Sequence, residues 1–404
     1  MNDAVMAGPI AGLGASAAEC LTRARALVPL LEAASPRIEA GCELPADVLA
    51  AMHDAGMFRL LLPRSLGGFE LRPSEYVRCI EAVAMGDAST AWCMNQGSGC
   101  SMTSAYLTPG VARQIWGGKD AVLAWGNGPG SNAKAVRAEG GWRVSGTWSF
   151  ASGSRHANWL GAMSACSNPD GSPVLRPDGK PWERTMLLPR HLASVVPDVW
   201  NVMGLRGTGS DTFTLTDLFV DDAHAVTRES PDERREMGTL YRFQAMQLYA
   251  GGFSCVALGA ARGLVDAVIN LAKGKVQLGG SDQLRDSNSV QRVIGYWDGA
   301  LKAARAGLFS VLDDVCDDVS ASGEISVTNR IAIRQATTFA IHTARDAAYN
   351  VFHEAGSTAI FANQPFERRL RDVNSVAQHL QGRRTHFETV GVWLLGGDPS
   401  LRWV

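Results

Sequence analysis

Residues 366–391, FERRLRDVNSVAQHLQGRRTHFETVG, read as one long helix near the C-terminus. Pro365 precedes it and suits a first helical turn, where its missing N–H is not needed. Asp372, His379 and His386 recur every seven positions, so on an unbroken helix they share a face with a drift of about 20° per step. Val373, Val376 and Leu380 surround that face with apolar side chains. An ionisable face on a core helix is unfavourable unless it is paired or used. A satisfied structural histidine is the simpler reading of His379, and the rest of the chain must decide.

Working outward, three more long Ala-rich amphipathic stretches precede this one: 240–271, 287–319 and 326–353. With 366–395 they predict an antiparallel four-helix bundle joined by short breaks. Upstream of the charged linker 228–236, short alternating runs at 133–138, 142–150, 159–165, 185–188, 194–196 and 213–220 predict a small antiparallel β domain. Glu139-Gly140-Gly141 supplies a hairpin turn. From about Ser16 to Trp116 the pattern is helical again. One helix is expected over 17–33, one opened by Pro45 and running to Leu61, one opened by Pro73, and one capped by Asp87 or Ser89. The expected architecture is mainly α with a β domain: a helical domain over 1–120, a β domain over 121–230 and a bundle over 231–404.

Composition narrows the function. The 404 residues are 46% hydrophobic and 19% charged, with a formal net charge of -2. That is ordinary for a globular chain and offers no basic field for nucleic acid. The eight cysteines form no CxxC pair, so neither a zinc site nor a disulfide framework is suggested. The start, MNDAVMAGPIAGLGAS, lacks the pattern of an export signal. No stretch approaches about 18 uninterrupted apolar residues, so no membrane span is expected. A reduced, cytoplasmic location fits. There is no GxGxxG after a strand and no GxSxG elbow, which argues against a Rossmann nucleotide site and an α/β-hydrolase triad. The remaining histidines have no metal-ligand spacing.

The most specific motif is Gly146-Thr-Trp-Ser-Phe-Ala-Ser-Gly153, continuing through Arg155, His156 and Trp159. Small residues ending a strand expose N–H groups and hydroxyls, while Trp148, Phe150 and Trp159 offer flat walls; a planar flavin ring needs both. A sheet core with a tight turn explains the same residues. Gly204-Leu-Arg-Gly-Thr-Gly-Ser210 is a glycine-rich turn whose backbone, with Arg206, Thr208 and Ser210, could approach a ligand or simply turn the chain. Arg368, Arg369 and Arg371 could bind phosphate or form surface ion pairs. Arg262, Gln291 and Arg292 pose the same choice.

Taken together, GDASTAWCMNQGSG (86–99), GTWSFASGSRHANW (146–159), MGLRGTGSDTFTLTDLFV (203–220), GAARGLVDA (259–267) and PFERRLRDVNSVAQH (365–379) resemble the acyl-CoA dehydrogenase superfamily. Within it the chain is most similar to the two-component flavin-dependent monooxygenases. The resemblance implies a reduced flavin (FADH2 or FMNH2) delivered by a separate reductase, O2 as co-substrate, a C4a-hydroperoxyflavin, and a homotetramer. It implies flavin contacts from Trp148, Ser149, Phe150, Ser152, Arg206, Thr208, Ser210, Arg262, Gln291, Arg292 and Arg371. His379 and His156 are the implied catalytic groups, His379 either deprotonating the substrate or hydrogen-bonding it. Asn95, Gln96 and Ser98 are expected to line the substrate cavity.

The departures from true dehydrogenases are informative. Their glutamate base is expected eight positions after the Asp of the Arg-Asp motif, where this chain has Leu380, or Gln381 after a shift of one. A second subgroup carries it early in the first bundle helix, yet no Asp or Glu lies between Met237 and Val265. Losing a general base removes a factor of about 10²–10⁴, which disfavours oxidation of an acyl thioester. The expected substrate is a phenolic or indole-like aromatic, with N- or S-oxygenation of another compound as the alternative.

Overall fold

The computed structural model describes residues 15–126, 132–196, 198–228, 230–276, 281–402 and 404. The start of the chain, read above for an export signal, is largely outside them. The architecture is mainly helical around a β domain. Helices α1 (Ala17–Ala26), α2 (Val28–Gly41), α3 (Ala46–Asp54), α4 (Pro73–Gly86), α5 (Ala88–Ser101) and α6 (Pro109–Trp116) come first. Strands β1 (Leu123–Gly126), β2 (Lys134–Ala138), β3 (Gly141–Ala151), β4 (Trp159–Ser167), β5 (Glu183–Pro189), β6 (Ser194–Val196), β7 (Asp211–Asp221) and β8 (Ala225–Val226) follow. Helices α7 (Ala245–Gly274), α8 (Asn288–Ser322), α9 (Val327–Glu354), α10 (Phe366–Gln378) and α11 (Thr385–Leu394) complete the chain.

Four expectations need correction. The helix expected over 17–33 is two helices, because Pro29 stands in the first turn of α2 and cannot continue the ladder of α1. The helix opened by Pro45 ends at Asp54, and Gly56 turns the chain with positive φ. The sheet is mixed, not antiparallel: its order is β6-β7-β3-β2-β4-β5-β8, with β1 also on β4, and both β1–β4 and β2–β4 are parallel. Most consequential, 366–391 is not one helix. His379 ends α10 with ψ 157°, residues 380–382 form a 3-10 turn, and α11 starts at Thr385.

The bundle core lies between α7 and α9, with α8 packed on α9 and α10 resting on both α7 and α9. Helix α7 has the length and composition of a membrane span, but 67% of its most apolar window is buried in the fold. Its apolarity serves the core. Helices α4 and α5 also pack on α7, joining the N-terminal helices to the bundle. Helix α5 is buried along its whole length and lies where N-terminal helices, sheet and bundle meet. That junction positions the site.

Candidate active site

Helix α5 starts at Asp87, whose carboxylate accepts the Thr90 N–H at 2.7 Å and the Thr90 hydroxyl at 2.8 Å. The first buried turn of the helix then presents Trp92 to the end of β3. There the indole N–H donates to the Ser152 hydroxyl at 3.0 Å. Ser152 lies 2.6 Å from the Ser210 hydroxyl, Ser210 lies 2.7 Å from that of Thr208, and Thr208 donates to the Leu205 carbonyl at 2.8 Å. Each hydroxyl has one proton. With the Thr208 proton on a carbonyl, Ser210 must donate to Thr208 and Ser152 to Ser210. The chain of donors therefore runs one way, from Trp92 to Leu205, and Ser152 has only a lone pair left for a ligand. Leu205 is fixed in turn, its N–H donating to the Asp372 carboxylate at 2.6 Å. Ser152, Thr208 and Ser210, separate in sequence, thus form one cluster tied to α10.

Asp372 is 4% exposed, and burial with Asp87 nearby raises its pKa to about 7, against the lowering effect of the Leu205 N–H. The arginines of α10 are occupied by protein partners. Arg368 meets Asp87 at 3.4 Å, Arg369 meets Glu32 at 3.0 Å, and Arg371 meets both Glu39 and Glu367 at 2.6 Å. They clamp α10 to the N-terminal helices, and in a single chain Arg371 is a clamp before it is a phosphate ligand.

His379 lies at the break after α10. The Gln381 N–H donates to its Nδ1 at 3.3 Å. A backbone N–H only donates, so Nδ1 is the acceptor and the neutral ring carries its proton on Nε2. The half-buried ring stands 5.0 Å from Trp92 and 4.7 Å from Phe253, edge-on to both. Burial, then the charges of Arg383 and Arg334, lower its pKa to about 4. The turn around it is held by hydrogen bonds to uncharged oxygens. His386 donates Nε2–H to the Leu380 carbonyl at 2.8 Å, His342 donates to that of Gly382 at 2.9 Å, and Arg334 donates to the Gln381 side chain. Gly382 is required there because a Cβ would run into the Ala377 backbone. With Nδ1 engaged by the Gln381 N–H, the neutral ring has an N–H to offer at Nε2.

His156 lies in the turn after Ser152, with its ring 5.6 Å from Phe58, itself 5.0 Å from His53. Its Nε2 is buried without a hydrogen-bond partner, and burial with the charges of His53 and Arg190 lowers its pKa to about 3. No ring contact joins His156 to His379 among the described residues; they flank the Trp92–Ser152 junction separately.

Other expected site residues are differently placed. Trp148 is 0% exposed, stacked on Phe213 at 5.3 Å with its N–H on the Met163 carbonyl, so it is sheet core with no face for a ligand. Phe150 is 64% exposed with φ 59°, an uncommon conformation for an aromatic residue, and stands 6.2 Å from Trp200. Ser149 accepts from Thr212 at 3.1 Å, and the Arg206 carbonyl accepts from Trp200. Asn95 is buried between Tyr76 and the Tyr249 carbonyl, and Ser98 bonds the Met57 carbonyl. Both fasten α5, whereas the Gln96 amide nitrogen has only the Cys100 thiol at 3.8 Å. Arg262 is paired with Asp266 and Asp298 on the bundle flank, and Gln291 and Arg292 are exposed on α8, which packs on α4, α7 and α9. One chain does not bring these three to the hydroxyl cluster.

Sequence reasoning missed Trp92, Tyr249, Phe253 and Trp125, which form a continuous ladder. Trp92 lies 3.9 Å from Phe253, Phe253 5.9 Å from Tyr249, and Tyr249 6.0 Å from Trp125. The available signal was Trp92 itself, a bulky ring in a segment otherwise rich in small residues. A flavin needs a polar rim and apolar walls. The lone pair of Ser152, the orphaned Nε2 of His156, the Ser149 hydroxyl and the exposed Phe150 and Trp200 rings fit that requirement. Among the described residues no cluster of His, Cys, Asp and Glu could hold a metal ion, and all eight cysteines are free.

Comparison with known proteins agrees with this geometry. The acyl-CoA dehydrogenase N-terminal domain matches residues 24–114, and the acyl-CoA dehydrogenase C-terminal domain matches 251–383. The chain is 26% identical to an indole-3-acetate monooxygenase of Pseudomonas putida, over 96% of this chain and 97% of that protein. It is 27% identical to the oxygenase component of an FADH(2)-dependent resorcinol hydroxylase of Rhizobium sp. (strain MTP-10005), over 94% of each. The structure of XiaF from Streptomyces sp., in complex with FADH2 and glycerol, superposes with a TM-score of 0.87 at 22% identity, covering 96% of this chain and 98% of that one. The chain belongs to the acyl-CoA dehydrogenase family, whose N- and C-terminal domains together match more than half of it, and it is similar to flavin-dependent monooxygenases.

Proposed function

We propose that this chain is the oxygenase component of a flavin-dependent monooxygenase that acts on a phenolic or indole-like aromatic compound. The observation that carries the reading is His379: a neutral N–H donor at a helix break, followed by the amide Gln381 where a dehydrogenase would need a carboxylate. Bound reduced flavin supplies two electrons and activates O2, one atom of which enters the substrate and the other leaves as water. Trp148 holds the strand from within, so Ser149 and Phe150 of β3 and Ser152 just after it are left to meet the flavin. The lone pair of Ser152 accepts an N–H from the ring. The rings of Trp92, Phe253 and Tyr249 exclude water, which protects an oxygen-activated cofactor from decay. His379 donates Nε2–H to an oxygen or other acceptor on the substrate and orients it.

A separate reductase delivers the flavin, and the assembly is a homotetramer in the cytoplasm. The exposed Tyr296, Phe339 and Tyr349 of α8 and α9 support an assembly through the bundle, where Arg262, Gln291 and Arg292 would reach a partner's flavin. Incubating the protein with reduced FAD or FMN, ¹⁸O2 and a panel of phenols and indoles tests the reading. One labelled oxygen in the product is expected. Bleaching of the oxidised-flavin form by an acyl-CoA, with no labelled product, would overturn it.

A further inference from the structure

One deeply buried cation, Arg334 of α9, has no part in the roles above. It is 2% exposed, and burial, then the charge of Arg330, lowers its pKa only to about 10, so it stays charged at neutral pH. Its guanidinium reaches the turn that follows α10. There Nη1 donates to the Gln381 side-chain oxygen, and the Gln381 amide nitrogen donates in turn to the Met246 sulfur at the start of α7. Gln381 is 3% exposed, so its side chain is gripped at both ends between α9 and α7. The backbone N–H of the same residue donates to His379 Nδ1 at 3.3 Å.

A guanidinium in the core carries a large desolvation penalty, so the contact it makes is worth explaining. We infer that Arg334 is a positioning residue for His379: by gripping Gln381 it fixes the backbone N–H that occupies Nδ1, and so leaves Nε2–H directed at the substrate. This rests on the proposed oxygenase reading and adds to it a residue of α9 that touches neither flavin nor substrate. Charge is the second half of the role. The charged or titratable groups around His379 are Arg383 of the turn and Arg334, with His386 of α11 and His342 of α9 on the neighbouring carbonyls. Helices α5 and α7 present Trp92, Phe253 and Met246, none of which titrates. After burial, Arg383 and then Arg334 lower the pKa of His379, and Arg334 is the leading charge on His386, itself lowered to about 4. An amide at position 381 accepts from Arg334 and leaves its positive field intact. A carboxylate there would pair with Arg334 and favour a charged imidazole.

Nitrogen-15 spectra of the histidine-labelled protein, with the His379 signals assigned through His379→Asn, test the role without needing turnover. The native ring should show one neutral tautomer, protonated at Nε2, down to about pH 5. Arg334→Met should mix the two tautomers and raise the titration midpoint by about half a unit or more. In turnover it should lower kcat on the order of tenfold while KM changes less than about threefold. Arg334→Lys keeps the charge and should regain part of the loss. Gln381→Glu keeps size and backbone N–H but cancels the field, so the midpoint should rise and an acid limb should enter the kcat profile. Thermal melting of each variant confirms folding, and Gln381→Glu carries the test if Arg334→Met does not fold. Unchanged His379 signals in Gln381→Glu, or in folded Arg334→Met, would overturn the assignment. Shifted signals with no oxygenated product from the native protein would count against the oxygenase reading alone, and product with unshifted signals in the variants against the positioning role alone.

Discussion

The two halves of residues 366–391 are held in opposite ways. Up to Asp372 the segment is a charged clamp, with Arg368, Arg369 and Arg371 paired to Asp87, Glu32 and Glu39 on the N-terminal side of the fold. From His379 on, the contacts are hydrogen bonds to uncharged acceptors: Gln381 N–H on His379, His386 on Leu380, His342 on Gly382 and Arg334 on the Gln381 side chain. The first half fixes where the helix sits. The second fixes the tautomer of one imidazole, which charge pairing would have disturbed.

Breaking the second half should have the larger effect on chemistry. His379→Ala is expected to lower product yield by about 10²-fold or more while changing flavin affinity little; paired turnover and flavin titrations measure the split. His379→Asn, which keeps an N–H donor, should lose less, and unchanged turnover in both would remove the role assigned to the ring. Ser152→Ala removes the lone pair and opens the hydroxyl chain. Reduced-flavin affinity should fall on the order of tenfold, read by anaerobic fluorescence titration.

Breaking the first half should affect stability. Arg369 is 5% exposed and also donates to the Met85 carbonyl at 2.6 Å, so Arg369→Met should destabilise the protein by about 2 kcal/mol in urea unfolding. Asp372 sharpens the contrast through pH. Its folded pKa lies above the unfolded value, so its contribution to stability is full below about 4 and is lost as pH rises through about 7. Asp372→Asn keeps an acceptor for Leu205 and should flatten that part of the pH–stability curve. His379 works in the reverse sense: its contribution is present above 6.5 and is lost as pH falls through about 4. The neutral donor persists at pH 6, so its ionisation should produce no acid limb in kcat/KM near 6.5.

The same contrast explains what could be read from sequence. The layer order was legible because helical and strand periods announce themselves over long runs, and the arginines of α10 and the caps of α5 carry their own partners' chemistry. The break at His379 was not, because no residue between Gln378 and Gly382 is a strong helix breaker until the glycine itself. The break is stabilised by His342 and Arg334 on α9, far away in sequence. Trp148 was misjudged for a similar reason: alternation along β3 is interrupted by register shifts against β7, which change the face its side chains take. Ser152, Thr208 and Ser210 were each visible, but only the fold shows that their hydroxyls point one way.

The central claim, that this site stabilises an oxygen-activated flavin, is tested most directly by rapid mixing. The anaerobic protein loaded with reduced flavin is mixed with O2 and the flavin spectrum is followed. The account predicts a long-lived phase whose absorbance belongs to neither reduced nor oxidised flavin, and which shortens in His379→Ala. Direct reoxidation to the oxidised spectrum, with no intervening phase for either FAD or FMN, would contradict it.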